Sequence, residues 1–335
     1  MIFGKKIKAA ALCAAAIMSF GLLAGCGSDK AADNSGDKQY KIGIVQLVEH
    51  DALDAANKGF VDGLKERGFE EGKNLVIDQQ NAQADQSNLQ NIGQRFVNDK
   101  VDLIYAIATP AAQTVANLTK DIPIVASAIT DYEGAKLIKS NNEPGGNLTG
   151  TSDMNPIKEQ IDLLLKITPN AKTIGCIYTS SEANSEIQFK AMKEYAESKG
   201  LKVESATISN VNDIQQAAQS LVSKVDVFWV PTDNVVASAI PTLVSITDAA
   251  KKPVICGEPN HVKNGGLATY GIDYYELGRQ TGQMAAKVLK GEATCEEMPY
   301  ETISEYGLYV NYTALAEMGL TLPEELAGRA IDANA

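Results

Sequence analysis

The chain has 335 residues, 44% of them hydrophobic, with 42 Asp and Glu against 30 Lys and Arg, for a formal net charge of −12. That balance argues against a nucleic-acid partner, because a phosphate backbone asks for a basic stripe and none is visible. Ordinary apolar content without low-complexity tracts fits one large or two medium domains.

The N-terminus carries Lys5, Lys6 and Lys8, an uncharged stretch from Ala9 to Leu23, and then Leu23-Ala24-Gly25-Cys26. Basic residues, a short apolar run and small residues before a cysteine form an export signal with a lipidation box. The run is about 15 residues, short of the ~20 needed to cross a bilayer as a helix. Residues 1–25 therefore read as a signal peptide and Cys26 as the lipid acceptor, with a transmembrane anchor or plain secretory signal as the alternative. Removing residues 1–25 takes away three lysines and no acid, moving the charge from −12 to −15. Residues 26–38 contain no large apolar side chain and read as a flexible leash to a lipid anchor. The folded part is expected on the extracytoplasmic face of the membrane.

Two stretches of the remaining chain run in parallel. The first holds a strand at Ile42–Val45, a helix ending at Gly68, a strand Leu75–Ile77, a helix near Asn88–Val97 and a strand beginning Val101-Asp102-Leu103. The second holds a strand at Ile174–Ile177, a helix ending at Gly200, a strand Leu201–Ser205, a helix near Ile214–Val222 and Val225-Asp226-Val227. Gly43 and Gly175, like Gly68 and Gly200, are 132 residues apart, and Asp102 and Asp226 are 124 apart. In the first helix Leu53, Ala56, Phe60 and Leu64 recur at threes and fours on one face. Strands such as Leu103–Ile107 are apolar throughout, as expected when helices cover both sheet faces. The spacing predicts an α/β fold of two doubly wound parallel-sheet lobes.

Gly145–Ser152 leads from the first copy to the second, and Gly265–Asp273 leads back into a helix at Tyr274–Leu289 that returns to the first lobe. Leu308–Asn311 and a helix near Ala314–Met318 complete the second, so three crossings make a hinge. The expected boundaries are 39–150 plus about 273–298 for the first lobe, 151–272 plus about 299–325 for the second, and 326–335 as a tail.

Ligands of parallel sheets gather beyond the carboxyl ends of the strands, near helix N-termini. After Leu103–Ile107, Thr109 is placed to cap a helix with Pro110 in its first turn, and the N–H groups of Ala111 and Ala112 with the Thr109 hydroxyl would form an anion pocket. An ordinary capped helix explains the same residues. The equivalent place in the second copy holds Asp233. An anion-binding helix end facing a carboxylate suits a zwitterion such as an amino acid, although Asp233 also fits as a partner of its own helix dipole. Further strand-end candidates are Glu49 and His50, Ser127, Thr130 and Asp131, the loop Ser181-Glu182-Ala183-Asn184-Ser185, and Glu258. Tyr132, Tyr178, Trp229 and Tyr270 are the rings available for stacking, or else core.

No Gly-x-Ser-x-Gly, His-Glu-x-x-His or Walker motif occurs, and His50 and His261 fall in different copies, so an enzyme is not indicated, although carboxylates meeting across a cleft stay open. Cys176, Cys256 and Cys295 lack metal-ligand spacing; Cys176 reads as a small buried residue and a Cys256–Cys295 pair is left open. No metal or cofactor is expected.

Val48-Glu49-His50, Ala106-Ile107-Ala108-Thr109-Pro110-Ala111-Ala112, Gly145-Gly146-Asn147-Leu148-Thr149-Gly150, Pro231-Thr232-Asp233-Asn234 and Ala268-Thr269-Tyr270-Gly271-Ile272-Asp273-Tyr274-Tyr275 resemble the ABC transporter substrate-binding lipoproteins of the tryptophan/tyrosine-uptake group. The resemblance spans Tyr40 to Pro323 and implies a periplasmic-binding-protein type I fold. It also implies capture of a small solute, an aromatic amino acid, for a permease with a cytoplasmic ATPase. A surface sensor of the same fold, or a different small solute, is the alternative. The binding loops of that fold fall on Thr109–Ala112, Ser127–Asp131, Ser181–Ser185 and Asp233.

Overall fold

A computed structural model describes residues 38–335. The expected signal peptide, nearly all of the leash and Cys26 lie outside the described residues. The first half runs β1 (Tyr40–Gln46), α1 (Asp51–Glu66), β2 (Leu75–Asn81), α2 (Gln86–Asn98), β3 (Leu103–Ile107), α3 (Thr109–Leu118), β4 (Ile124–Ile129) and β5 (Leu148–Ser152). The second runs α4 (Ile157–Ile167), β6 (Thr173–Thr179), α5 (Ala183–Ser198), β7 (Lys202–Ile208), α6 (Ile214–Leu221), β8 (Val227–Val230), α7 (Asn234–Ala237), α8 (Ile240–Ala249), β9 (Val254–Cys256), α9 (Pro259–Lys263) and β10 (Ala268–Gly271). The chain closes with α10 (Tyr274–Lys290), β11 (Glu301–Thr302), β12 (Gly307–Val310), α11 (Tyr312–Met318), α12 (Glu324–Ala327) and β13 (Ala330–Asp332).

These strands build two sheets, ordered β2-β1-β3-β4-β5-β11 and β7-β6-β8-β9-β10-β12-β13. The first is parallel throughout; the second departs from that only where β12 runs antiparallel to β10. The leading five positions of the two orders correspond, which gives the sequence repeat its meaning. The repeated aspartate does one job in both lobes. Asp102 accepts the Lys41 N–H at 2.8 Å, and Asp226 accepts those of Lys172 and Thr173 at 2.8 and 3.0 Å, pinning the start of the central strand.

In β8, Val227 and Trp229 join one apolar cluster while Phe228 and Val230 join another. Successive strand residues point to opposite faces, so an unbroken apolar run requires helices on both sides. Cys256 lies in the core of the second lobe and Cys295 in that of the first, and both are free thiols, as is buried Cys176.

The chain crosses between lobes at Asp153–Pro156, Ile272–Asp273 and residues 303–306. β5 and β11 sit in the first sheet, so residues 151–152 and 301–302 belong with the first lobe rather than the second. The stretch 326–335 is no tail: β13 pairs with β12 and extends the second sheet. Its short, mixed sequence carries no strand signal of its own, and pairing with a formed edge supplies it.

α10 returns to the first lobe because glycines on two helices fit one another. A Cβ at Gly278 would meet the Ala56 carbonyl oxygen at 1.9 Å, one at Gly282 the Phe60 oxygen at 2.2 Å, and one at Gly59 the Tyr275 oxygen at 2.0 Å. α1 and α10 therefore touch backbone to backbone. Among the described residues no helix is long and apolar enough to cross a membrane.

Candidate functional site between the lobes

Residues at and just beyond the strand ends of both sheets line a narrow gap of about 10 Å3, room for little more than one water. From the first lobe come His50 and Ala128, from the hinge Asp153 and Tyr274, and from the second lobe Asp233, Asn234, Glu258 and His261. α3 and α5 pack against each other across the same interface, and Ser181 shares an outer groove with Pro110 and Gln113. The loop before α5 thus lies opposite the start of α3.

Two acids of the second lobe have opposite circumstances. Asp233 is fully buried and accepts four hydrogen bonds, from the Thr179 N–H at 2.6 Å, the Thr179 hydroxyl at 2.8 Å, the Ser185 hydroxyl at 2.7 Å and the Val236 N–H at 2.9 Å. All its lone-pair directions are used inside its own lobe, so it serves as the cap of α7. Glu182 is also buried, but only Oε2 is engaged, by Asn184 Nδ2 at 3.0 Å and Asn234 Nδ2 at 2.5 Å. Its Oε1 has no partner. Burial, and then the charge of Asp233, push the Glu182 carboxyl well above its ordinary range. A buried carboxyl oxygen without a partner is unsatisfied in this arrangement, and a cationic group brought to it would favour its ionised form.

The first lobe contributes the start of α3, whose N-cap is Ala108 at φ 84°, with no side-chain cap. Thr109 is therefore not the cap: it lies inside the first turn, and its buried Oγ1 has no partner. The left-handed residue lets β3 pass straight into the helix one residue early. The Ala112 N–H donates to the Ala108 carbonyl at 3.1 Å, which leaves Ala111 as the donor of the expected pair. First-turn N–H groups lack intrahelical acceptors and favour an anion.

The remaining candidates divide. Thr130 is buried and bonds to Asp153 at 3.2 Å and to Gln188 at 3.0 Å. Ser127 faces the core, 2.5 Å from the Tyr105 hydroxyl. Asp131 caps its own turn through the Glu133 and Gly134 N–H groups, and Ser181 is exposed. Asn184 is buried with a free Oδ1, and Ser185 is spent on Asp233. Glu258 accepts the Asn260 and His261 N–H groups at 2.7 and 2.8 Å, and burial raises its carboxyl to about 7. His261 Nε2 is 3.3 Å from Glu258 Oε1 but off the line of a hydrogen bond, and burial holds the imidazole at about 3, hence neutral.

None of the four expected rings lines the gap. Tyr132 stacks on Tyr300 at 4.6 Å, Tyr178 on Phe189 at 4.6 Å, Trp229 donates to Gln160 at 3.0 Å, and Tyr270 accepts from Arg329 at 2.8 Å. Each is bound into its own lobe, where large rings bury most area. Glu182 was visible in sequence only as one member of a polar loop, Tyr274 only as the first residue of a helix, and Asp153 not at all. The hydrogen bond between these last two, at 2.7 Å, joins two crossings and has no local signature.

Two lobes with matching sheet orders around a strand-end gap, joined by three crossings, define a solute-binding protein of the periplasmic type I architecture. The chain belongs to the ABC transporter substrate binding protein family, whose model matches residues 41–333. It is 42% identical to the tyrosine-binding protein of Clostridioides difficile (strain R20291), over 96% of this chain and 94% of that one. The ABC domain from Streptococcus pneumoniae in complex with L-Trp is 42% identical, with a TM-score of 0.85 over 88% of this chain and 100% of that one. The ligand-free, open structure of a substrate-binding protein with adhesive properties from Clostridium difficile is 45% identical, yet its TM-score is only 0.67 over 88% of this chain and 99% of that one. At nearly equal identity this chain superposes more closely on the L-Trp complex than on the open, ligand-free structure. Family and fold are those of solute-binding proteins, not enzymes.

Proposed function

We propose that this chain captures a free amino acid with an aromatic side chain between its lobes and delivers it to a permease driven by a cytoplasmic ATPase. The observation that carries the reading is Glu182 Oε1, a buried carboxylate oxygen without a partner, on the loop that faces the uncapped start of α3. Glu182 takes the ammonium, and the Ala111 N–H with the Thr109 hydroxyl takes the carboxylate. The gap has room for about one water, so a solute enters only when the lobes part, which couples capture to their movement. The aromatic preference is supported by the tyrosine-binding relative and the L-Trp complex. Lobe closure supplies contacts from both sides only in the closed state, which is what a ligand needs to shift the equilibrium.

The lipid anchor at Cys26 and the extracytoplasmic location belong to this proposal. Cys26→Ser should abolish palmitate incorporation and release the protein from the membrane. A thermal-shift screen against the twenty amino acids, followed by calorimetry, tests the ligand: tyrosine and tryptophan should raise the melting temperature most. No shift with any aromatic amino acid would remove the reading.

A further inference from the structure

The lobes also meet through a buried contact away from the zwitterion groups. Gln188, on α5 of the second lobe, is 1% exposed, and its Nε2 donates at 3.0 Å to Oγ1 of Thr130, which follows β4 in the first lobe and is 3% exposed. The same amide is held from its own side by Thr232, whose hydroxyl lies 2.5 Å from Nε2 and whose N–H donates to Oε1 at 3.1 Å. Thr130 in turn donates to Asp153 Oδ1 at 3.2 Å, and Asp153 Oδ2 accepts from the Tyr274 hydroxyl at 2.7 Å. One unbroken series of side chains thus runs from the second lobe, across the interface, into two of the three hinge crossings.

We propose that Gln188 and Thr130 form a closure latch, positioning residues that set how far the closed state is populated without touching the solute. Among the described residues, the other side-chain bridges between lobes are His50 to Asn234 at 3.3 Å, with a partly buried imidazole on a buried amide, and Asn264 to Asp51 at 3.2 Å, where both groups are exposed and water competes. At Gln188 both partners are dry in the closed state, so the bond counts in full there and is replaced by water on opening. Asp153 gives the contact leverage, because the Thr130 hydroxyl that meets Gln188 is oriented from the hinge. The latch rests on the solute-capture reading, which closure serves.

Asp51 and Asn264, adjacent across the closed interface and exposed, provide the assay. Asp51→Cys with Asn264→Cys should form a disulfide under mild oxidant at a rate proportional to the closed fraction, with or without solute. In that background Thr130→Val, which keeps the branched shape, and Gln188→Met should each slow trapping of the ligand-free protein about tenfold, the scale of one buried hydrogen bond. With saturating L-tyrosine or L-tryptophan the variants should trap as fast as the parent, because a solute gripped only by the closed state drives closure to completion. An unchanged ligand-free rate in both variants overturns the latch. So does a rate at saturation that stays about tenfold below the parent's, which would mean that the substitutions misplace the two cysteines and leave the closed fraction unchanged. A parent whose trapping no amino acid accelerates would sink the solute reading alone, since the ligand-free arm decides the latch by itself.

Discussion

Asp233 receives both the N–H and the hydroxyl of Thr179, at 2.6 and 2.8 Å, so that one carboxylate ties the end of β6 to the first turn of α7. With Ser185 as a further donor, it is a structural knot at the base of the gap. Asp233→Asn turns two acceptor positions into a donor facing donors. Unfolding in urea should show a loss of about 2–3 kcal/mol, the scale of stranded buried donors. A variant as stable as the parent would contradict the knot.

Glu182→Gln should behave in the opposite way. The amide oxygen keeps the bonds from Asn184 and Asn234, and burial with the charge of Asp233 already favours the uncharged carboxyl in the ligand-free protein, so a neutral amide fits the same place. Stability of the ligand-free protein should hold or rise. Affinity for an amino acid should drop about 10- to 100-fold, as for loss of one charge-assisted bond, while an analogue lacking the ammonium group should bind the variant and the parent alike. Calorimetry with both ligands checks this.

Buried acids and buried histidines should give stability opposite dependences on pH. Burial raises Asp153 to about 6 and Glu258 to about 7, so the native state holds these protons more tightly than the unfolded chain, and stability falls as pH rises from the ordinary carboxyl range through those values. Burial lowers His50 and takes His261 to about 3, so stability also falls as pH drops below their ordinary 6.5. Between the carboxyl range and 6.5 the two trends oppose each other; above 6.5 only the acids act. Urea midpoints between about pH 5 and 8 should show Glu258→Gln flattening the alkaline side and His261→Gln flattening the acid side. Identical profiles for parent and variants would refute these assignments.

The α1–α10 contact predicts a steep cost for a single methyl group. Gly278→Ala puts a carbon within 1.9 Å of the Ala56 oxygen, which only backbone separation relieves. Overpacking of this kind costs about 1–3 kcal/mol or more. Gly291→Asn is the comparison: Gly291 ends α10 at φ +70° with nothing nearby, and Asn tolerates that conformation, so under about 1 kcal/mol is expected. Equal losses in the two variants would mean that helix contact is not the constraint.

Much of the architecture was legible before any coordinates. Leu53, Ala56, Phe60 and Leu64 are all buried on one face of α1, and Gly68 and Gly200 take positive φ where the helices end. The first crossing, Asp153–Pro156, comes just after the glycine-rich Gly145–Ser152, which itself forms part of the first sheet, and Ile272–Asp273 ends the second such segment. The site was legible as a set of loops, not as a set of roles. Thr109 looked like a cap, but the left-handed Ala108 moved the helix start; Asp233 looked free, but Thr179 and Ser185 claim it from elsewhere in the lobe.

Strand periods, helix faces, the repeat and the crossings are written in the sequence because each depends on neighbours a few residues apart. Which acid keeps an open oxygen depends on partners some 50 residues away, as Thr179 is from Asp233 and Asn234 from Glu182. Hydrogen-bond capacity is finite, and only the packed chain determines which groups exhaust it. That is why the sequence could name both lobes, while tertiary structure alone decided that Glu182 keeps an unpartnered oxygen, Asp233 holds its lobe together, and Gln188 reaches Thr130 in the other lobe.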